Sequence, residues 1–402
     1  MTPMLKGCLG VVLLPIAGSI ALLGIAGLTA DGGAMRGLGW GLVLAAAFAT
    51  LAAVRLVHDG LRSTVRDADG PRAPRPPARV RSAGPALTAF VVVLGVGTVA
   101  SLSGPVGLGA LVPLHVLAAL LPARVLTRHV GSRQDGVRAG AIGRGLAWGG
   151  LGATSIAFAG ELIVGSALAL VVWLALGTTP GAQDAVSDVV GQLLQSVTTL
   201  SPAAPGSLEG LSLAPLLRPS IAAAAIGLLG LAGPLLEELA KLAGVILLRP
   251  RTRAEAFLYG VAVGAGFGVL EALLTGAASI GPAWSLAIVA RAAATLMHAT
   301  TCGIAAVGWR RLADGEAGAG TARIGLAVAL HALWNLGVLG AVLAAAAVAE
   351  GVGPAALATL AATSPLMVTL VFAFVLFAFT GMARRYGRAA DAEPATLVAA
   401  DR

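Results

Sequence analysis

The sequence predicts an all-α fold, a polytopic integral membrane bundle of about ten transmembrane helices. Three observations predict it. Of 402 residues, 57% are hydrophobic and only 11% are charged, where a soluble domain carries about a quarter charged residues. The mean hydropathy is +0.90. Apolar runs long enough to cross ~30 Å of hydrocarbon recur about ten times, and the connections between them alternate in charge.

In chain order, the first span is expected at Gly7–Ala30 and the second at Gly37–Val57. The first run is long enough to span and lacks a small-residue cleavage site before Asp31, so it reads as a span and not as a cleaved signal. His58–Arg81 follows with six arginines and a Pro-rich tail, a basic loop against the inner leaflet. The next spans are Pro85–Leu102 and Val106–Val125, then the basic Arg124–Arg144, then a span within the over-long apolar run Leu146–Gly177. Thr178–Arg218 carries Asp184, Asp188 and Glu209, with Arg218 its one basic residue. It reads as an external loop whose middle has the spacing of an amphipathic surface helix. Five further spans are Ser220–Leu248, Ala254–Ala277, Trp284–Trp309, Ile324–Ala349 and Pro365–Met382.

Most of the 25 arginines behind the +8 charge fall in alternate loops. That is a topology signal and not a nucleic-acid surface: with ten spans, every arginine-rich loop and both termini are cytoplasmic. Cys8 and Cys302 are the two cysteines, which excludes a disulfide framework. The chain divides into residues 1–218, about five spans with basic cytoplasmic loops and the external loop 178–218; residues 219–383, about five spans that carry the polar residues; and a short cytoplasmic tail, 384–402. In the first part Glu161 and His115 are the clear intramembrane ionisable groups, and both read as structural partners inside the bundle.

The stretch Leu231–Leu339 carries side chains that a lipid-facing helix does not have. A charged group at a helix centre costs about 2.5–3.5 kcal/mol, so such groups are paired, functional, or both. Glu237 and Glu238 are adjacent and point about 100° apart on a helix. Lys241 follows at the third and fourth positions, within reach of either. Pro234 removes a backbone donor and weakens the preceding turn. Gly260, Gly264, Gly268, Ala272 and Gly276 recur every fourth residue, a small-residue face for close helix approach, with Glu271 at its edge. Arg291 is a plausible partner for a glutamate and lies two turns before His298. His298 and Cys302 have the spacing of a Cys–His pair, but Cys is also an ordinary small buried residue, and that reading is preferred. His331 and Asn335 share a helix face, and Asn335 is the single asparagine of the chain.

The motifs Glu237-Glu238-Leu239-Ala240-Lys241, Gly266–Glu271, His298 preceded by Arg291, and His331–Asn335, in this order on successive spans, resemble those of the PrsW family of intramembrane proteases. That family is related to the CAAX-processing and bacteriocin-processing membrane proteases. Ala272 departs from the asparagine that the family often has after the glutamate. The resemblance implies an intramembrane endopeptidase acting on a membrane-anchored protein or peptide. It implies that Glu237 or Glu238 with His298 activates water, and that His331 and Asn335 stabilise the oxyanion. Lys241, Glu271 and Arg291 support them. Two imidazoles and a carboxylate are also a zinc ligand set, so Glu237, His298 and His331 could hold Zn. A metal site and a metal-free glutamate site both stay open, with ligand type leaning toward the metal. The competing class is an ion-coupled membrane transporter built on the same midplane carboxylates; the concentration of polar residues in one half of the chain argues against it. The implied location is the inner membrane, multi-pass, with no nucleic-acid partner.

Counting from the arginine-rich ends, Glu237, His298 and His331 lie at roughly 16, 16 and 10 Å and Glu271 at roughly 26 Å. The expectation is a water-filled cleft entered from the cytoplasmic side, with Glu271 above the other groups.

Overall fold

The computed structural model describes residues 82–134, 139–176, 217, 219–276, 281, 283–349, 351 and 354–388. These form helices α1 (Gly84–Leu102), α2 (Gly104–Gly131), α3 (Ala139–Ala147), α4 (Thr154–Leu176), α5 (Pro219–Ala225), α6 (Gly233–Leu248), α7 (Arg253–Gly276), α8 (Trp284–Ala313), α9 (Ala317–Ala349) and α10 (Pro354–Arg388). No strand occurs among the described residues. Seven of their helical stretches are long and apolar enough to cross a membrane, so the chain is a multi-pass membrane protein with a helical bundle. The first two expected spans, the basic loop His58–Arg81 and the external loop lie outside the described residues, apart from the latter's Leu217.

Two helical stretches depart from plain α-helix. A π-helical turn at Trp148–Ala153 joins α3 to α4, and another at Ile226–Ala232 joins α5 to α6. The second lies directly before Pro234, which sits at the start of α6. There the missing amide of proline costs nothing within α6, and the irregular hydrogen bonding falls on the turn before it. At its other end α6 closes on Arg249 in the left-handed conformation, φ 51°, and Pro250 follows. The last helix runs on to Arg388, past the boundary at 383 that hydropathy suggests, because Arg384 and Arg385 extend it out of the apolar region.

The bundle is built around α7, which is buried along nearly its whole length. Glycine makes this possible. A Cβ on Gly260 would stand 2.5 Å from the Cys302 carbonyl oxygen, and one on Gly264 would stand 2.1 Å from that of His298. Thus α7 and α8 touch backbone to backbone along the four-residue repeat of small residues. On another face a Cβ on Gly266 would meet the Leu146 carbonyl oxygen at 2.1 Å. The core of Phe257, Leu258, Val261, Val269, Leu273 and Met297 fixes α7 in rotation, and through it the residues that α8 presents. His115 has Nε2 3.2 Å from the Ala272 carbonyl oxygen, a partner inside the bundle of the expected kind.

Candidate active site

Four helices bring their polar residues to one point. From α6 come Glu237, Glu238 and Lys241, from α7 Glu271, from α8 Arg291 and His298, and from α9 His331. The centre is the Lys241 ammonium, which is fully buried. It donates to Glu237 Oε2 at 3.0 Å and Glu238 Oε1 at 3.0 Å, and lies 2.9 Å from His298 Nδ1. Its fourth neighbour is the Phe267 ring, 4.0 Å away, a cation–π contact in a dry place. The third- and fourth-residue spacing puts both carboxylates within reach of one lysine.

Each histidine is held by a carboxylate on one nitrogen and turned inward on the other. His298 Nε2 is 2.7 Å from Glu271 Oε2, and Arg291 Nη1 donates to Glu271 Oε1 at 2.8 Å and to Thr275 Oγ1 at 3.1 Å. His331 Nδ1 is 2.9 Å from Glu238 Oε1, which also accepts from Thr301 Oγ1 at 3.0 Å. The inward nitrogens face Glu237 Oε2, at 3.9 Å from His298 Nδ1 and 3.6 Å from His331 Nε2. The two rings meet edge to face, 4.9 Å between centroids. Glu237, His298 and His331 each offer one ligand atom, all within 4.8 Å of one another. Two buried atoms here have no hydrogen-bond partner, Glu238 Oε2 and His331 Nε2. One oxygen of Glu238 thus takes three donors and the other none, and buried polar atoms left this way call for a further group.

Asn335 stands apart from this network. It lies one turn beyond His331, and its Nδ2 donates to the Leu229 carbonyl oxygen at 3.0 Å. Leu229 belongs to the π-helical turn before α6, so Asn335 satisfies a carbonyl of the irregular turn. Cys302 packs with Val263, Ile304 and Leu330 in an apolar cluster, as an ordinary small buried side chain.

Glu271 pairs with Arg291, as a supporting residue should. Its carboxylate also touches His298 directly, because α7 and α8 cross so closely that nominal depth along each helix places it too far from the other groups. Among the described residues, apolar side chains occupy the arginine-rich side of the site, where the cleft is expected to open. Val245, Val263, Ile304, Ala305, Ala327 and Leu330 fill that side. The partly exposed polar groups lie on the other side: Glu271 with a side chain 32% exposed, Arg291 at 24%, and the half-buried Asn335 and Glu161. Sequence reasoning also passed over Thr301 and Phe267. Thr301 lies three residues after His298, on its helix face, and Phe267 stands inside the Gly266–Glu271 motif, so both were within reach of the spacing argument.

Residues 207–380 match the family model described as PrsW family intramembrane metalloprotease. No curated protein and no solved structure matches the chain. The match covers α5 to most of α10 and all the residues gathered around Lys241, so residues 207–380 are similar to the PrsW family of intramembrane metalloproteases.

Proposed function

We propose that Glu237, Glu238, His298, His331 and Asn335 are the catalytic residues of an endopeptidase that hydrolyses a membrane-anchored protein or peptide within the bilayer. The observation that carries this reading is the meeting of one carboxylate and two imidazoles from three helices, beside a buried imidazole nitrogen without a partner.

The residues fit a divalent metal, and zinc is the ion we assign. Carboxylate and imidazole are donors zinc takes. The 3.6 Å between Glu237 Oε2 and His331 Nε2 approaches the roughly 3.3–3.6 Å that separates two ligands of one tetrahedral zinc. Each imidazole has a carboxylate behind it, Glu271 or Glu238, the arrangement that orients metal-binding histidines. Glu237, His298 and His331 would hold the ion, and Lys241 would release His298 Nδ1. When bound, such an ion polarises a carbonyl and makes water a better nucleophile at neutral pH.

The roles of the side chains follow from their partners. Glu237 would hold the ion through Oε2, and its second carboxylate oxygen is the base: the side chain is 13% exposed, so that oxygen can meet water. It takes a proton as water oxygen bonds to the scissile carbonyl carbon, and that proton goes to the leaving amine when the C–N bond breaks. Glu238 fixes the geometry by accepting from Lys241, Thr301 and His331. With Nδ1–H donated to Glu238, His331 keeps the lone pair of Nε2 turned toward Glu237. Glu271 does the same for His298 from the opposite nitrogen. The Asn335 amide has two N–H groups; one holds Leu229, and the other is the donor we assign to the oxyanion. The substrate reaches the site from the end away from the arginines, where the partly exposed polar groups lie. Residues 219–383 form the protease core in this reading, and residues 1–218 an N-terminal membrane region whose α2–α4 pack against it.

The test is cleavage of single-span substrates by protein purified in detergent, with and without chelator. Glu237→Ala and His298→Ala should abolish cleavage while expression and insertion persist. Full cleavage by both variants refutes the assignment. Ion flux in liposomes that depends on these residues would favour the transporter instead.

A further inference from the structure

We propose that Glu161 determines substrate specificity at this site: its carboxylate, contributed by α4 from outside the matched stretch, receives a cationic side chain of the substrate two residues from the scissile bond. The inference rests on the endopeptidase reading above.

The position of Glu161 follows from helix packing. The α3–α4 stretch runs antiparallel along α5–α6. Trp148 lies against Gly244, Gly160 against Leu236, Glu161 against Gly233 and Gly165 against Leu228. A Cβ on Gly233 would stand 3.3 Å from Glu161 Oε1, so the carboxylate rests on the backbone of α6. Gly233 precedes Glu237 by four residues and shares its helix face. Glu161 therefore sits one turn, roughly 6 Å, from Glu237 along the helix, toward the end away from the arginines.

Sequence reading treats Glu161 as a structural partner in the bundle. Among the described residues it has no hydrogen bond and no ion pair, and it is half-buried in a helix that crosses the membrane. The charges it feels are those of Glu237, Lys241, Glu271 and His331, residues of the site. Both nearby cations are committed elsewhere. Lys241 is surrounded by three acceptors, and Arg291 is bound to Glu271 and Thr275. An unpartnered carboxylate in a span is costly, and such groups mark binding sites and pathways. In the neighbouring site the buried Glu238 Oε2 and His331 Nε2 have no hydrogen-bond partner either.

A cation fits this place, because pairing with it lets Glu161 carry its charge inside a span, whereas an acidic group adds repulsion beside Glu237. An extended peptide advances about 3.3–3.4 Å per residue. One helical turn from the base thus corresponds to two residues along a bound substrate, and a lysine or arginine there is the group that pairs with Glu161.

The test uses the full-length protein in detergent and three single-span peptides that differ at one position. The cleavage site is mapped on the peptide with Gln there, and peptides with Lys or Glu two residues away are compared with it on both sides. The wild type should cleave the Lys peptide with kcat/KM at least tenfold above the Glu peptide, mainly through a lower KM. Glu161→Gln should bring that ratio close to one, and Glu161→Lys should invert it. A wild-type ratio near one overturns the inference, as does a Glu161→Gln protein that loses the same factor on all three peptides. The latter would mean a structural role. If the wild type cleaves none of the peptides, the endopeptidase reading fails first and the inference falls with it.

Discussion

Replacing Lys241 by methionine removes the one cation from the centre of the site while nearly keeping its volume. Glu238 is 2% exposed and would be left as a carboxylate held by Thr301 and His331 alone. Three hydrogen bonds to or from charged groups, at about 1.5–3 kcal/mol each, would sum to more than about 4.5 kcal/mol, but members of one network do not add. Breaking a buried ion pair by removing one partner costs about 3–5 kcal/mol, chiefly because the other charge stays behind. We therefore expect Lys241→Met to lose about 3–5 kcal/mol. The assay is unfolding by titration of a denaturing detergent into mild micelles, followed by circular dichroism, with chelator present so that no metal replaces the ammonium. The second arm is the double variant Lys241→Met/Glu238→Gln, in which neither charge remains. It should regain at least half of the loss, because neutral groups avoid the penalty of an unpaired buried charge. A single-variant loss below about 1 kcal/mol, the size of an exposed pair, would refute the view of Lys241 as the buried counter-ion. So would a double variant no more stable than the single.

Gly264→Ala should drive α7 and α8 apart, because its Cβ would lie 2.1 Å from the His298 carbonyl oxygen; a loss of at least about 1–3 kcal/mol in the same unfolding assay, together with activity, is expected. Glu271→Gln should weaken metal binding by about 10–100-fold, measured by titration calorimetry, since the carboxylate behind His298 is lost. Asn335→Ala should lower kcat by about 10²–10³-fold if its free N–H meets the oxyanion; an unchanged kcat with lower stability would leave it the π-turn contact alone. For topology, cysteines at the exposed positions Ala283 and Ala317 should differ in intact cells, with an impermeant thiol reagent labelling the first and sparing the second; labelling of Ala317→Cys with protection of Ala283→Cys would invert the orientation.

The sequence by itself determined the class of the protein and the local geometry of its site. Low charge and long apolar runs require a membrane, and in a membrane backbone groups must bond internally, so helices follow. Given helices, their period places Lys241 within reach of Glu237 and Glu238, aligns the small residues of α7 on one face, and sets Asn335 one turn from His331. All of these are short-range consequences of 3.6 residues per turn. The tertiary structure decided what each residue faces. It gave Glu271 to His298 and Glu238 to His331, it put Asn335 on Leu229, and it filled the arginine-rich side with apolar side chains. It also turned Glu161 toward the site. The rotation of one helix against another is set by packing over many small contacts, and no motif encodes it. Each π-helical turn, at 148–153 and 226–232, makes this harder. The one extra residue in such a turn swings every later side chain by about 100°, so a face counted along the sequence from one end of the span points elsewhere at the other.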